Sequence, residues 1–208
     1  MSQPPLPGQR GPSDHTMHAR VIATAHARFR SHGFAATSVA DIAADLEVAP
    51  TYLYKFFRSK NAIGEAVSAS ILEGIQDAAE RIVRADIDPR DKILGLFATT
   101  LRESVGMFFA DRKLHDLVSR CMEEDWASVP RHKARMRVLI RELIVGGMEK
   151  GTFDAALDVE EATDAVFWAL YPFSHPSILE QTIDDDLGTR ATTIARFCLR
   201  ALCAKVMD

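Results

Sequence analysis

The chain has 208 residues, 47% of them hydrophobic, and a formal net charge of −4. This length and apolar content suffice for a buried core in one large domain or two small ones. Its uninterrupted apolar runs are far shorter than the roughly 20 residues that cross a bilayer, which argues against a membrane protein. The three cysteines form no CxxC pair, as is usual for free thiols in a reducing compartment, so we expect a cytoplasmic protein.

The charge is divided unevenly along the chain. Residues 1–60 contain seven Lys and Arg against four Asp and Glu, whereas the remainder contains 18 against 25. A positive N-terminal part on an acidic remainder fits a small module that binds an anion, because neutralising phosphates requires only local positive charge. A surplus this small is also compatible with an ordinary solvated surface.

The chain begins with a proline-rich stretch, residues 1–13, which we expect to be a disordered arm. The first helix is predicted to begin near Ser13 or Asp14 and to end at Gly33, which suits the left-handed conformation that follows a helix. Its apolar positions recur at helical spacing and predict a buried face: Val21, Ile22, Ala25 and Phe29.

Residues 37–60 predict two short helices joined by a tight turn. Ser38 and Asp41 have the spacing of a capping box at the start of the first helix. Pro50 suits the first turn of the second helix, because its missing amide costs nothing there, and this helix is predicted to continue through residue 57. Two such helices with a basic, aromatic-rich end form a probe for the major groove of DNA.

The rest of the chain repeats at helical period, and no segment has the alternating pattern of a strand. The sequence therefore predicts an all-α fold of about nine helices, with a three-helix head and a larger helical body. Beyond the head, helices are predicted around residues 60–84, 89–109, 111–124, 136–148, 159–173 and 186–206.

A series of residues between positions 21 and 63 resembles the TetR family of transcriptional regulators. The matching residues keep one register throughout: Phe29, Gly33-Phe34, Thr37-Ser38-Val39, Asp41-Ile42-Ala43, Val48, Leu53-Tyr54, Phe57 and Ser59-Lys60. The resemblance implies a helix-turn-helix DNA-binding domain at residues 14–58 and a helical effector-binding and dimerisation domain at residues 59–208.

The turn and the start of the second short helix depart from the family's usual pattern. Glu47 stands where glycine is usual, and Ala49 stands where a capping serine is frequent. Residues 50–52, Pro-Thr-Tyr, replace a basic residue, glycine and threonine. Because φ above zero is uncomfortable for a residue with a side chain, we expect a less strained turn at Glu47.

The resemblance also implies which residues contact double-stranded DNA. Thr37 and Lys60 are expected to bind phosphates at the starts of their helices. Pro50, Thr51 and Tyr52 are expected to face the bases, where a ring or a methyl group can meet a thymine methyl. Tyr54 and Lys55 are expected to contact the DNA backbone, although the Tyr54 ring could instead lie partly in the core.

The body has a surplus of large apolar and aromatic residues. In a helical body these favour a mostly apolar cavity for a small-molecule effector, with Arg102, His115 or Tyr171 as polar anchors; the same residues could equally form a plain core. The candidate lining residues are Phe97, Leu101, Phe108, His115, Met122, Trp126, Met136, Leu139, Leu143, Phe167, Trp168 and Tyr171.

The last two predicted helices have more apolar surface than one core requires, and we expect them to form a homodimer interface. A dimer suits this class of DNA-binding module, because one head makes too few contacts to specify a palindromic operator. Small residues would permit close approach of the helices, or would pack within one chain: Ala162, Ala165, Ala169, Ala191, Ala195 and Ala201.

The sequence thus predicts a dimeric repressor, released from a palindromic operator by an apolar or amphipathic ligand, with no enzymatic activity, cofactor or metal. A ligand-independent activator or architectural DNA-binding protein is one alternative. An all-helical enzyme or metal protein with a vestigial head is another. His115-Asp116 and Glu123-Glu124 offer metal donors, but the closer spacing of a helical metal motif is missing.

Overall fold

The computed structural model describes residues 12–203, and within this range the chain is helical and has no strand. The all-α prediction is confirmed. The elements are α1 (Pro12–His32), α2 (Val39–Asp45), α3 (Pro50–Leu53), α4 (Lys60–Arg84), α5 (Pro89–Ala110), α6 (Arg112–Glu123), α7 (Ser128–Glu149), α8 (Val159–Leu170), a 3₁₀ turn (Tyr171–Phe173), α9 (Pro176–Gln181) and α10 (Leu187–Cys203).

Two clusters of buried apolar side chains correspond to the predicted head and body. The head cluster contains Phe29, Ile42 and Leu53 from α1, α2 and α3, and it also includes side chains from α4 and α6, such as Ile63 and Leu114. The core of the head therefore extends past the predicted domain boundary at residue 58. The body cluster is built from α4, α5, α7, α8 and α10.

Helix α4 is shared by both clusters. Its first half contributes Ile63 and Val67 to the head, and its second half contributes Ala79 and Val83 to the body. The Ser59 hydroxyl accepts a hydrogen bond from the Ala62 amide at 3.1 Å and caps the helix. With 25 residues, α4 is about 37 Å long and connects the head to the far end of the body.

The region after residue 170 differs from the prediction. The eighth helix ends at Leu170 and continues only as a 3₁₀ turn, and an unpredicted helix, α9, begins at Pro176. Pro172 has no amide to donate to the α-helical ladder, which favours this break. The described part of the chain thus has ten α-helices instead of about nine.

The chain ends also differ in detail from the prediction. Helix α1 already includes Pro12 and Ser13, which were assigned to the arm, while residues 1–11 lie outside the described part. The last helix begins at Leu187 and is described to Cys203; its predicted continuation to residue 206 lies outside the described residues.

Helix α5 is the one described helix whose length and mean hydropathy would allow it to cross a membrane. It packs instead against α4, α7 and α10, with Ile93, Leu96 and Phe97 almost fully buried. Such packing is typical of a core helix in a globular protein.

Candidate nucleic-acid interface and effector site

The start of α2 has the geometry of the predicted capping box. The Asp41 amide donates to the Ser38 hydroxyl at 3.1 Å, and the Ser38 amide donates to an Asp41 carboxylate oxygen at 2.8 Å. The Ser38 hydroxyl also donates to this carboxylate oxygen at 2.7 Å, and this hydrogen bond, followed by the one from the Ser38 amide, lowers the pKa of Asp41. Arg28 on α1 pairs with Asp45 at 2.6 Å and with Asp41 at 3.5 Å, so two of the four acids in the first 60 residues have an ion-pair partner inside the head.

The turn between α2 and α3 contains a strained residue. Glu47 has a φ of 56°, in the left-handed region that non-glycine residues avoid. The expectation of a less strained turn is therefore wrong, and the helix-turn-helix geometry is kept without glycine. Hydrogen bonds from the Glu47 amide to the Ala44 carbonyl and from the Val48 amide to the Ala43 carbonyl, both 3.0 Å, hold the turn.

Helix α3 is shorter than predicted, since it ends at Leu53 and not at residue 57. Its N-cap is Ala49, which provides no side-chain hydrogen bond. Leu53 is fully buried and anchors the helix, and the next residues continue as turns, with the Phe57 amide donating to the Leu53 carbonyl at 3.0 Å. A single helical turn thus presents the candidate base-facing residues.

The exposed side of α3 carries most of the predicted DNA contacts. Pro50, Thr51 and Lys55 are exposed, and Tyr54 has 54% of its surface exposed; the Tyr54 ring is therefore not part of the core. Tyr52 is half-buried: its ring meets Phe56 edge-on at 5.3 Å, and Lys55 Nζ lies 5.1 Å from its centroid. These five residues form one surface, which we call the α3 surface.

Thr37 does not lie where a phosphate contact requires it. Its side chain is 2% exposed, and its hydroxyl donates to the Gly33 carbonyl at 2.8 Å. The hydroxyl therefore closes the loop between α1 and α2 and does not reach the surface. The family pattern at Thr37-Ser38 is consistent with this local role, because Ser38 supplies the helix cap.

The Lys60 ammonium also has a position different from the predicted one. It donates to three backbone carbonyls of the α1–α2 loop, those of Phe34 at 2.9 Å, Ala35 at 3.2 Å and Thr37 at 2.8 Å. It also lies 4.6 Å from the centroid of the Phe34 ring. Because an ammonium has three donors, this arrangement leaves none for a phosphate. Of the predicted phosphate site at Lys60, only the amino end of α4 is left to interact with a phosphate.

One basic residue of this region was missed in the sequence. Arg58 is exposed between α3 and α4 and has no ion-pair or hydrogen-bond partner among residues 12–203. In the sequence Arg58 directly follows the apolar Phe57 and lies between the starts of α3 and α4. This placement could have identified it as a residue of the DNA-binding side. Together with Lys55 it provides two unpaired positive charges beside the α3 surface.

The predicted effector residues do not line one common cavity. Leu139 and Leu143 are buried in the body core, so the plain-core alternative holds for them. Phe97 and Leu101 border a surface groove between α5 and α10. Trp168 is 52% exposed, which excludes it from the interior of the protomer.

A small cavity does lie at the centre of the body. Four residues of the predicted set line it, Met122, Met136, Phe167 and Tyr171, and its volume is about 10 Å³, room for about one water molecule. His132 borders this cavity and also a cleft of about 1100 Å³ between α1, α4 and α7. An effector at the centre would therefore require the body to open.

The remaining predicted effector residues lie between the head and the body. Trp126 packs edge-on against Phe34 at 6.0 Å and donates from Nε1 to Glu124 at 2.9 Å. His115 is 1% exposed and meets the Phe108 ring at 4.9 Å, and its Nδ1 lies 3.8 Å from an Asp116 carboxylate oxygen. Burial, followed by the nearby Arg112 guanidinium, lowers the pKa of His115.

The predicted interface helices, α8 and α10, present two large aromatic side chains to solvent. Trp168 on α8 is 52% exposed and Phe197 on α10 is 66% exposed. Of the six small residues expected at the interface, Ala162, Ala191 and Ala195 instead face the body core. Half of these small residues thus pack inside the protomer. The exposed Trp168 and Phe197 are the better indication of where a dimer interface lies.

Comparison with known proteins agrees with this architecture. Residues 21–67 match the family described as bacterial regulatory proteins, tetR family. Residues 89–195, slightly more than half of the chain, match the family described as tetracyclin repressor-like, C-terminal domain. No curated protein sequence matches the chain significantly.

Solved structures share the fold at low sequence identity. A TetR-family transcriptional regulator from Pectobacterium atrosepticum is 19% identical, with a TM-score of 0.70 over 95% of this chain and 99% of that one. The fatty acid degradation regulator FadR from Bacillus halodurans is 20% identical, with a TM-score of 0.64 over 92% and 96%.

FadR from Bacillus subtilis, solved in complex with stearoyl-CoA, is 14% identical, with a TM-score of 0.62 over 88% of this chain and 97% of that one. These likenesses concern the fold. With both parts of the sequence matched in order and the helix-turn-helix in place, the chain belongs to the TetR family of bacterial transcriptional regulators.

Proposed function

We propose that this protein is a dimeric, effector-responsive transcriptional repressor that acts on a palindromic operator in the cytoplasm. The observation that carries the proposal is the α3 surface: a helix-turn-helix whose short second helix exposes Pro50 and Thr51, and whose following turn exposes Tyr54 and Lys55. The exposed, unpaired Arg58 adds positive charge beside it. This combination suits insertion of α3 into the major groove, with basic residues on the flanking phosphates.

Base contacts and phosphate contacts are assigned to different residues in this proposal. Tyr52 and Thr51 read bases, because they lie on the first turn of α3, while Lys55 and Arg58 bind phosphates. Since Lys60 is occupied by loop carbonyls, its contribution is indirect: it fixes the loop and so positions α2 and α3.

The DNA-binding test measures affinity for the upstream intergenic region of the protein's own gene, with a scrambled duplex as control, at two salt concentrations. We expect specific, salt-sensitive binding by two protomers. Lys55→Ala should weaken binding to both duplexes and reduce the salt slope by about one. Tyr52→Ala should weaken binding only to the specific site. The control Lys150→Ala changes an exposed lysine at the far end of α7 and should bind as the unchanged protein does.

Absence of specific binding, both to the upstream DNA and to any sequence obtained by random-site selection, would contradict the proposal. Equal losses on specific and scrambled DNA for Tyr52→Ala would remove that residue from base recognition while leaving the regulator function in place.

The dimer is proposed to form through α8 and α10. Exposed aromatic side chains such as Trp168 and Phe197 are enriched where protein surfaces associate. Combined Trp168→Glu and Phe197→Glu substitutions should produce a folded monomer in analytical ultracentrifugation. Ile87→Glu alters an exposed apolar residue elsewhere (41% exposed) and serves as the control. A dimer that persists in the double variant would place the interface elsewhere.

The effector is proposed to act through the contacts between head and body. Phe34 in the head touches Trp126 after α6, and α4 is packed in both clusters. A ligand that binds better to one arrangement of α4 and α6 would change the separation of the two heads, and only this difference in affinity can release DNA. The stearoyl-CoA bound to the Bacillus subtilis neighbour supports an effector with a long apolar part.

A further inference from the structure

A groove on the surface of the body separates α5 from α10 and from the segment that precedes α10. Its volume is about 760 Å³, within the range of sites that hold drug-sized molecules. Phe97 and Leu101 form its floor and belong to the body core, and the half-buried Leu94, Val105 and Leu187 line its sides. The groove is thus an open, apolar extension of the core.

The apolar wall of this groove is incompletely covered. Only 33% of the residues in an apolar 18-residue stretch of α5 are buried. Ala98 faces the groove exposed, and Phe109 at the end of α5 is 70% exposed. This exposed apolar wall is open to an apolar ligand.

The charged groups at the rim leave one positive charge without a partner. Arg102 pairs with Glu103 at 2.9 Å, and Asp185 pairs with Arg190 at 2.8 Å. Asp186 accepts a hydrogen bond from the Thr189 amide at the start of α10. Among the four charged lining residues, Arg196 alone has no ion-pair or hydrogen-bond partner within the described part of the chain.

Because α5 and α10 are antiparallel, the Arg196 charge and the Phe109 ring lie at opposite ends of the groove. Helix α5 begins at the end of the body far from the head, where α4 ends. Helix α10 ends there too, since the Asp154 amide, just after α7, donates to the Leu202 carbonyl at 2.9 Å. Arg196 therefore lies toward the Leu94 end of the groove, and Phe109 lies toward the opposite end.

The groove remains open when α8 and α10 form the proposed dimer. Gly188, Thr192 and Arg196 line the groove from one side of α10. Phe197 follows Arg196 by one residue, which turns it about 100° around the helix, and it lies beyond the buried stripe that contains Ala195. The dimer surface and the groove thus occupy opposite sides of that stripe.

We propose that the groove is the effector site and that it binds an anionic amphiphile. Its unbranched apolar chain would lie along α5 from Ala98 toward Phe109, and its carboxylate or phosphate would pair with the Arg196 guanidinium. The chain covers the exposed apolar wall, and the head group supplies the missing counter-charge. This inference rests on the proposed function, because the groove is assigned to the ligand that controls DNA binding.

The test uses dodecanoate as the probe and titration calorimetry on the full chain, below the concentration at which the probe forms micelles. We expect dodecanoate to bind once per protomer and 1-dodecanol, which has the same chain without charge, to bind at least about 10-fold more weakly. Arg196→Gln should weaken dodecanoate binding by about 10-fold or more. Lys150→Gln is the matched control, because it removes one exposed positive charge outside the groove and outside the proposed interface helices.

A second variant tests the apolar wall independently of the charge. Ala98→Phe places a ring in the groove from an exposed position, so it should abolish dodecanoate binding while the melting temperature of the protein stays close to that of the unchanged chain. Dodecyl phosphate should compete with dodecanoate if the site recognises the charge and not the carboxylate as such.

The outcomes separate this inference from the proposed function. Equal affinity for dodecanoate and 1-dodecanol, or unchanged affinity in Arg196→Gln, would overturn the groove site, even if the protein binds its operator. Dodecanoate binding that depends on Arg196 and Ala98 but leaves operator affinity unchanged would overturn the effector role of the groove. Both dependence on Arg196 and release of operator DNA by dodecanoate are required for the inference to stand.

Discussion

The ring of Phe34 packs directly against Gly64, so closely that a Cβ atom at residue 64 would lie 2.6 Å from Cε2 of the ring. The same ring meets Phe29 edge-on at 5.2 Å and Trp126 at 6.0 Å. Phe34 thus joins α1, α4 and the segment after α6 at one point. The glycine on α4 is what allows the head to approach the helix this closely.

Gly64→Ala should therefore destabilise the protein although alanine favours helix. Overpacking of this kind costs about 1–3 kcal/mol, and we expect a lower midpoint in urea denaturation. Gly74→Ala on the same helix is the control, because no atom lies within 4 Å of its added Cβ; it should stabilise the protein by up to about 1 kcal/mol. Equal effects of the two substitutions would contradict the packing at Phe34.

Lys60→Met should lower stability and DNA affinity together. The substitution leaves the carbonyls of Phe34, Ala35 and Thr37 without their donor, at a cost of about 1–3 kcal/mol. Lys55→Met, in contrast, should change stability by less than about 0.5 kcal/mol and weaken DNA binding alone. Thermal denaturation together with DNA titration separates the two. If Lys60→Met lost DNA affinity with no loss of stability, Lys60 would be a direct phosphate ligand.

Glu47→Gly should stabilise the head. The left-handed conformation costs a non-glycine residue about 1–2 kcal/mol, of which glycine's greater freedom in the unfolded chain offsets a part. We expect a gain of roughly 0.5–1 kcal/mol in the free energy of unfolding. Glu47→Ala removes the same charge but keeps the Cβ, so it should give no such gain. A gain of equal size in both variants would assign the effect to charge.

Stability should fall as the pH is lowered from 7 to 5. Burial lowers the pKa of His132 to about 4 from a usual 6.5, and burial also lowers the pKa of His175 and His115. The folded protein keeps these rings neutral, whereas the unfolded chain takes up protons below pH 6.5. The contribution is complete above 6.5 and is lost as the pH falls toward 4, with about 2 kcal/mol lost at pH 5 from His132 alone.

His132→Gln isolates this contribution, because glutamine does not titrate. The difference in melting temperature between pH 7 and pH 5 should be smaller in this variant than in the unchanged protein, with His115 and His175 responsible for the remainder. His15→Gln, at an exposed position of α1, should leave the difference unchanged. An undiminished pH dependence in His132→Gln would mean that His132 is not held neutral by burial.

The sequence predicted the head well because its local signals are strong. Ser38, Asp41 and Ser59 cap their helices through short-range hydrogen bonds, which the residue spacing alone predicts. Ile42 and Leu53 are fully buried, as helical spacing and the family resemblance indicated. The recognition surface around Tyr54 and Lys55 followed from the same register, although its binding to DNA stays a prediction.

The functions of Thr37 and Lys60 could not be predicted in this way. Both were assigned by their place in the family pattern, but their atoms bond to backbone carbonyls about four and more than twenty residues away. Such contacts depend on how the α1–α2 loop closes over α4, which no spacing along the chain describes. The positive φ of Glu47 was not predicted for a related reason, because the packing of α2 against α3 outweighs the preference of this residue for negative φ.

The effector residues were predicted least well. Hydrophobic residues such as Leu139 and Met122 have the same sequence signature, yet Leu139 is buried in the core and Met122 borders a cavity. The difference is set by which helices meet at each level of the body. The groove residue Arg196 gave no signal in the sequence, because its lack of a partner exists only in the folded chain.

Because α4 belongs to both clusters, a tilt of this helix in the body moves the head. Its length is about 37 Å, so a tilt of only about 5° at the body end moves the other end by roughly 3 Å. In a two-fold dimer the two ends move in opposite directions, which doubles the change in their separation. Adjacent major grooves lie about 34–36 Å apart along one face of the DNA, and a displacement of several ångströms is enough to prevent both heads from seating at once. A displacement of side chains too small to change the fold can therefore change the expression of a gene.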